Sequence, residues 1–174
     1  VHDYTKPKIW DIVWHKNYEK YKTHHQVFWN LLRQKAKGKV LDLACGPACY
    51  WTDCPIELFG CDFSSEAISE AVLNNPTGKF LVAELPTHHY DGMRFDTVVM
   101  SGLVNYYQDL APFMQMAVLA SRPGSHFLIT INVIDDFSDR HWDMDRIESE
   151  FLPYGIVQAK FYPKIGWLVD IETI

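Results

Sequence analysis

The sequence is short of the features that mark a membrane protein, a disulfide scaffold or a dinucleotide loop. Across 174 residues no apolar run approaches the roughly 18–20 residues of a membrane span, and no signal-peptide pattern opens the chain. It begins on Val1 rather than Met, which fits a processed or trimmed start. Only 4 cysteines occur, all between Cys45 and Cys61. A chain of this length buries a core without disulfides or metal, and a cytoplasmic setting is the expectation. Glycine is scarce as well, at 9 residues, and the segment "LDLACGPA" holds just one, Gly46. Neither G-x-G-x-x-G nor the phosphate-binding G-x-x-x-x-G-K-[ST] is present, which disfavours a dinucleotide fold and a P-loop.

What is present belongs to an ordinary globular domain, 48% hydrophobic and 22% charged. The net charge of −6 is unevenly spread. Residues 1–39 hold nine of the 16 Lys and Arg against three acids, leaving that segment six positive and the remainder twelve negative. The basic segment reads as the solvated face of helices beside an acidic body rather than as a nucleic-acid surface. Four cysteines within seventeen residues raise a metal site as an alternative. Their spacings of x3, x4 and x6 are not two C-x₂₋₄-C pairs, so Cys45 and Cys61 read as small hydrophobes and no metal is expected.

Along the chain, residues 7–19 form a short helix candidate with Pro7 in its first turn. A second helix follows, with Thr23 and Gln26 at capping-box spacing, a stripe of Val27, Phe28, Leu31 and Leu32, and Gly38 as its stop. Residues 1–38 are therefore expected to be an N-terminal helical cap. From Lys39 strands and helices alternate. "KVLDL", "ELFGCD", "KFLVA", "FDTVVMS" and "SHFLITINVI" read as strands. Helices fall at about 48–53, after Ser64 or Ser65, after Asp109 as a cap, and at about 139–151. "GIVQAKFY" and "GWLVDIET" form a closing hairpin. This order predicts an α/β, doubly wound, mostly parallel seven-stranded sheet over residues 39–174, with helices on both faces.

In such a sheet a ligand sits beyond the carboxyl ends of the strands, beside the first. There Gly46 permits close backbone approach and Ala44, the smallest alternative to glycine, keeps it open. Twenty residues past Asp42 stands Asp62, an acid able to accept two hydrogen bonds from a ribose diol.

The ordered set "VLDLACGPA", "GCDFS", "FDTVVMSGLVNYY" and "SRPGS", spanning about residues 39–135, resembles the class I S-adenosylmethionine-dependent methyltransferases. The family's first motif is acid-x-Gly-x-Gly-x-Gly; here Asp42, Ala44, Gly46 and Ala48 occupy those positions, which puts Asp42 among the cofactor-binding residues that the resemblance implies. The resemblance implies S-adenosylmethionine as cofactor, with Asp62 on the ribose and Phe63 and Leu85 around the adenine. Glu84 loosely matches the family's adenine-binding acid. Ala44, Gly46 and Ser101 fall near the methionine portion, and Tyr18 or Tyr21 could close over it. His88 and His89, in the loop after the third strand, are either a base pair for the acceptor or a solvated pair. Tyr106 and Tyr107 either line the pocket or pack.

No Asp/Asn-Pro-Pro-Tyr follows the fourth strand and no Pro-Cys nucleophile is present, so nothing points to a nucleobase acceptor. The implied reaction is methyl transfer to an oxygen or nitrogen of a small molecule. Two other uses stay open: a degenerate methyltransferase-like binding or scaffold subunit, or an enzyme using the cofactor for aminopropyl transfer or cofactor cleavage. A partner protein that completes the site is a further option.

Overall fold

The computed structural model describes residues 7–87, 90, 92–107, 109–133 and 141–174; the side chains of residues 7, 11 and 13–24 lie outside that description. Seven strands form one sheet: β1 Lys39–Leu43, β2 Glu57–Asp62, β3 Lys79–Val82, β4 Phe95–Ser101, β5 Ser121–Asn132, β6 Gly155–Tyr162 and β7 Gly166–Thr173. Their spatial order is β3-β2-β1-β4-β5-β7-β6. Strands β1 to β5 pair in parallel, and β7 runs antiparallel to both β5 and β6. The order reverses beside β1, between β2 and β4, which opens a crevice at the carboxyl ends of those strands.

Because side chains alternate along a strand, the central strands feed two cores. Val40, Leu58, Val99, Leu128 and Leu168 pack with Phe28 and Leu32 of α1 (Pro7–Lys35), with Ala36 just after it, and with Ile68 and Ala71 of α2 (Ser65–Asn74). Leu41, Leu43, Val98, Met100 and Ile129 pack on the other face with Phe113, Met114 and Ala117 of α3 (Ala111–Ala120). Ile147 and Phe151 of α4 (Met144–Phe151) complete that second core. Helices therefore cover both faces, as expected from the alternation of elements.

The differences from expectation lie at element boundaries. The N-terminal segment is one helix, α1, rather than two, and Thr23 and Gln26 fall inside it. "EKYKT" offers no glycine or proline to stop a helix, and capping-box spacing recurs by chance within a continuous one. Strand β5 begins at Ser121, four residues before the expected start, since Ser121 already pairs with Phe95 ahead of a register shift. Helix α4 starts only at Met144, where Asp143 caps it by accepting from Arg146 N at 2.9 Å. Asp109 precedes the cap residue Leu110 of α3, yet its carboxylate still accepts from Ala111 N at 3.0 Å. Ser64 caps α2 as expected, accepting from Ala67 N at 3.1 Å.

Candidate active site

The loop after β1 is built from alternating left-handed residues. Ala44, Gly46 and Ala48 have φ of 57°, 52° and 49°, a region that glycine enters freely and alanine at a cost. Tertiary bonds hold the two alanines there. Cys45 N donates to Cys61 O at 3.0 Å, and Gly46 N donates to Asp62 Oδ2 at 3.0 Å. From below, the side-chain amides of Asn74 and Asn75 donate to Pro47 O at 2.9 Å and Ala48 O at 2.8 Å. Asp62 uses its other oxygen to accept from Ser64 N at 2.9 Å. One buried carboxylate at the end of β2 thus joins the loop to the start of α2.

Asp42 stands beneath this loop, wholly buried. Its Oδ2 accepts from Tyr50 Oη at 2.5 Å and from Trp51 Nε1 at 2.7 Å, both on the 3₁₀ turn Cys49–Trp51. Burial pushes the Asp42 carboxyl up to about 7; the two donors oppose that rise, and the charge of Asp62 adds to it. Burial also pushes up Cys61, to about 12, and Cys45 well above the ordinary thiol range, so both stay protonated. All four cysteines are free thiols, and among the described residues no group of three or more His, Cys, Asp or Glu could hold a metal ion.

Above the loop lies a cleft enclosing about 750 Å³ of empty space, part of it open to solvent. Ala44, Gly46, Asp62, Phe63 and Leu85 line it, together with Ser101 and Tyr106 from the end of β4 and the turn beyond. That turn is held by the side chains of Thr130, whose hydroxyl accepts from Gly102 N at 3.0 Å, and of Asn105, which exchanges hydrogen bonds with the Asn132 backbone.

Two expected cofactor residues stand elsewhere. Asp42 supports the loop from underneath instead of lining the cleft, because the residues of β1 point alternately into the two buried layers. Glu84 is exposed and does not line the cleft, whereas Leu85, one residue on, turns inward. His88 and His89 lie outside the described residues, as do the side chains of Tyr18 and Tyr21.

Four more aromatic residues reach the cleft, among them Tyr107, for which the sequence leaves lining and packing equally open. Trp10 and Trp29 come from α1, Tyr50 from the 3₁₀ turn, and Tyr107 from beyond β4. Trp10 meets Tyr106 edge-on at 5.0 Å, and Trp29 stacks on Tyr50 at 5.2 Å. A signal for Tyr50 was present in the sequence, since a buried acid in β1 requires donors within reach and Tyr50 and Trp51 follow it closely. For Trp10 and Trp29 nothing in the sequence sets the path of α1.

The donor set suits a nucleoside with an amino-acid tail: an acid at the end of β2, apolar Phe63 and Leu85 beside it, and a close-approach loop at Gly46. The pattern of the methyltransferase domain family matches residues 41–129. No curated protein sequence matches the chain significantly. Solved structures share the fold at low identity. A chain in the complex between the Haloferax volcanii Trm112 methyltransferase activator and a methyltransferase superposes with a TM-score of 0.77 at 14% identity, covering 99% of this chain and 98% of that one. Magnesium protoporphyrin IX methyltransferase from Synechocystis PCC 6803, solved with bound S-adenosylmethionine, gives 0.68 at 13% identity, with 97% of each chain covered. The N-methyltransferase NodS from Bradyrhizobium japonicum WM9, solved with S-adenosylhomocysteine, gives 0.67 at 12% identity over 92% of this chain and 90% of that one.

Proposed function

Since the chain belongs to the methyltransferase domain family, we propose that it transfers a methyl group from S-adenosylmethionine to an oxygen or nitrogen of a small molecule. The observation that carries this reading is the convergence of Gly46, Asp62, Phe63, Leu85 and Ser101 on one cleft at the reversal point of the sheet. When bound, the cofactor supplies a methyl group already activated by its sulfonium, so the protein's part is alignment and exclusion of water.

Asp62 lines the cleft, its carboxylate fixed by Gly46 N and Ser64 N, and would take the ribose hydroxyls. Phe63 and Leu85 would cover the base. Gly46 leaves its backbone open to the amino-acid tail. Trp10, Tyr106 and Tyr107 form an aromatic wall of the cleft, which suits the acceptor. His88 and His89 are the candidates to take the acceptor's proton. No helix among the described residues is long and apolar enough to cross a membrane.

Calorimetric titration with S-adenosylmethionine and S-adenosylhomocysteine tests the reading. Wild-type protein binds both, and Asp62→Ala weakens binding by about 1–3 kcal/mol, the scale of hydrogen bonds to a charged acceptor. Absence of binding to either compound by folded wild-type protein would sink the proposal in favour of a scaffold subunit. Consumption of the cofactor without any acceptor would redirect it to cofactor cleavage. A His88/His89 double substitution that leaves methyl transfer intact removes both as bases.

A further inference from the structure

Asp42 is satisfied on one side only. Its Oδ2 takes two hydrogen bonds, while Oδ1, equally buried, has no partner. A carboxylate charge with an unpartnered oxygen in a buried interior is costly, so such a group either carries a proton or answers a nearby positive charge. Among the described residues, no basic side chain pairs with Asp42. Tyr50 and Trp51 donate from the 3₁₀ turn, and Asp62 on β2 adds a second negative charge. Cys45 in the loop, Cys61 on β2 and Tyr90 before β4 are acids that burial keeps neutral. On the α1 side, Arg33 Nη1 donates to the carbonyl oxygens of Tyr50 and Thr52, at 2.8 and 3.0 Å.

Above the loop, the cleft is read as a cofactor site, and the inference rests on that reading. S-adenosylmethionine carries a sulfonium, an ammonium and a carboxylate, one net positive charge; S-adenosylhomocysteine, lacking the sulfonium, is neutral overall. We infer that Asp42 is a proton-linked selector of the charged cofactor, holding a proton in the free protein and releasing it to solvent when S-adenosylmethionine occupies the cleft. It acts across the loop and touches no reacting atom, so it is a selecting and positioning residue rather than a catalytic one. The raised carboxyl of Asp42, about 7, puts the exchange in the neutral range. In a poorly screened interior a net positive charge favours the ionised acid, and by linkage the acid favours that charge. The neutral product draws less from the same group. The ratio of affinities for cofactor over product therefore rises with pH through neutrality, which helps spent product leave.

Calorimetry of both compounds from about pH 6 to about pH 8, in pairs of buffers with different ionisation heats, counts the protons. Wild-type protein is expected to release about one proton per S-adenosylmethionine at the acid end, fewer with S-adenosylhomocysteine, and almost none at the alkaline end. Its affinity for S-adenosylmethionine tightens by up to about tenfold per pH unit below the midpoint. In Asp42→Asn the proton release disappears and the affinity ratio becomes flat. Should that variant fail to fold, Trp51→Phe removes one of the donors opposing protonation, and the midpoint moves upward. Binding of both compounds by the wild type without proton exchange overturns the inference and leaves the methyltransferase reading standing. An Asp42→Asn variant that keeps the wild-type profile overturns it equally. Failure of both compounds to bind at any pH instead removes the reading beneath it.

Discussion

Ala44 and Ala48 adopt the left-handed backbone that glycine supplies at the corresponding family positions, with φ of 57° and 49°. An L residue there loses about 1–2 kcal/mol, while glycine in its place costs about 0.4–1 kcal/mol through the freer unfolded chain. Ala44→Gly is accordingly expected to stabilise the protein by about 0.5–1 kcal/mol in a denaturant titration. A loss of stability would mean that the Ala44 methyl, packed against the α3-side core, contributes more than the backbone strain removes. The loop motif was legible in the sequence because residue type and spacing decide it: Gly46, Asp62, Phe63 and Leu85 reach one cleft once the strands are parallel. Glu84 illustrates the limit. A shift of one residue at a strand end exchanges the inward and outward positions, and no spacing rule fixes which of two neighbours turns in.

Among the elements, the 3₁₀ turn Cys49–Trp51 carries an unusual share of the site. It positions Tyr50 in the cleft wall and both donors to Asp42, and three residues hold no helical face of their own to fix them. Arg33 of α1 supplies the anchor through its bonds to Tyr50 O and Thr52 O, with Trp29 stacked on the Tyr50 ring. Removing the anchor in Arg33→Ala should cost about 1–2 kcal/mol of stability and weaken S-adenosylmethionine binding several-fold, since the turn would lose its tether. Unchanged affinity in the calorimeter would show that Trp29 packing alone is enough. The strands that flank this turn were readable to the residue at 39–43, 57–62 and 95–101, because buried parallel strands are continuous apolar runs between breakers. Helix α1 was read as two because a cap motif was present without a break. Strand β5 was cut short because its Arg-Pro-Gly segment looks like a turn even though Ser121 pairs with β4. Both errors concern where an element ends, which tertiary pairing decides.

For the molecule as a whole, Lys35 at the end of α1 reaches across to Asp170 of β7 at 2.7 Å. Exposed pairs of this kind contribute little to stability. Asp42 has far more leverage on how stability varies with pH. Its carboxyl titrates near 7 in the folded chain against an ordinary value of 3.8, so between those values the folded state binds the extra proton. Stability then falls as pH rises, the reverse of a salt-bridged acid. Over the interval from about pH 6 to about pH 8 this group alone removes about 1.4 kcal/mol. Denaturant titrations of the cofactor-free protein at the two ends should show that loss, and Asp42→Asn should show less of it by the same amount. A variant whose stability falls with pH as steeply as the wild type would place the titrating group elsewhere and leave Asp42 ionised throughout. Saturating S-adenosylmethionine supplies the missing counter-charge, so in its presence the wild-type slope should approach that of the variant.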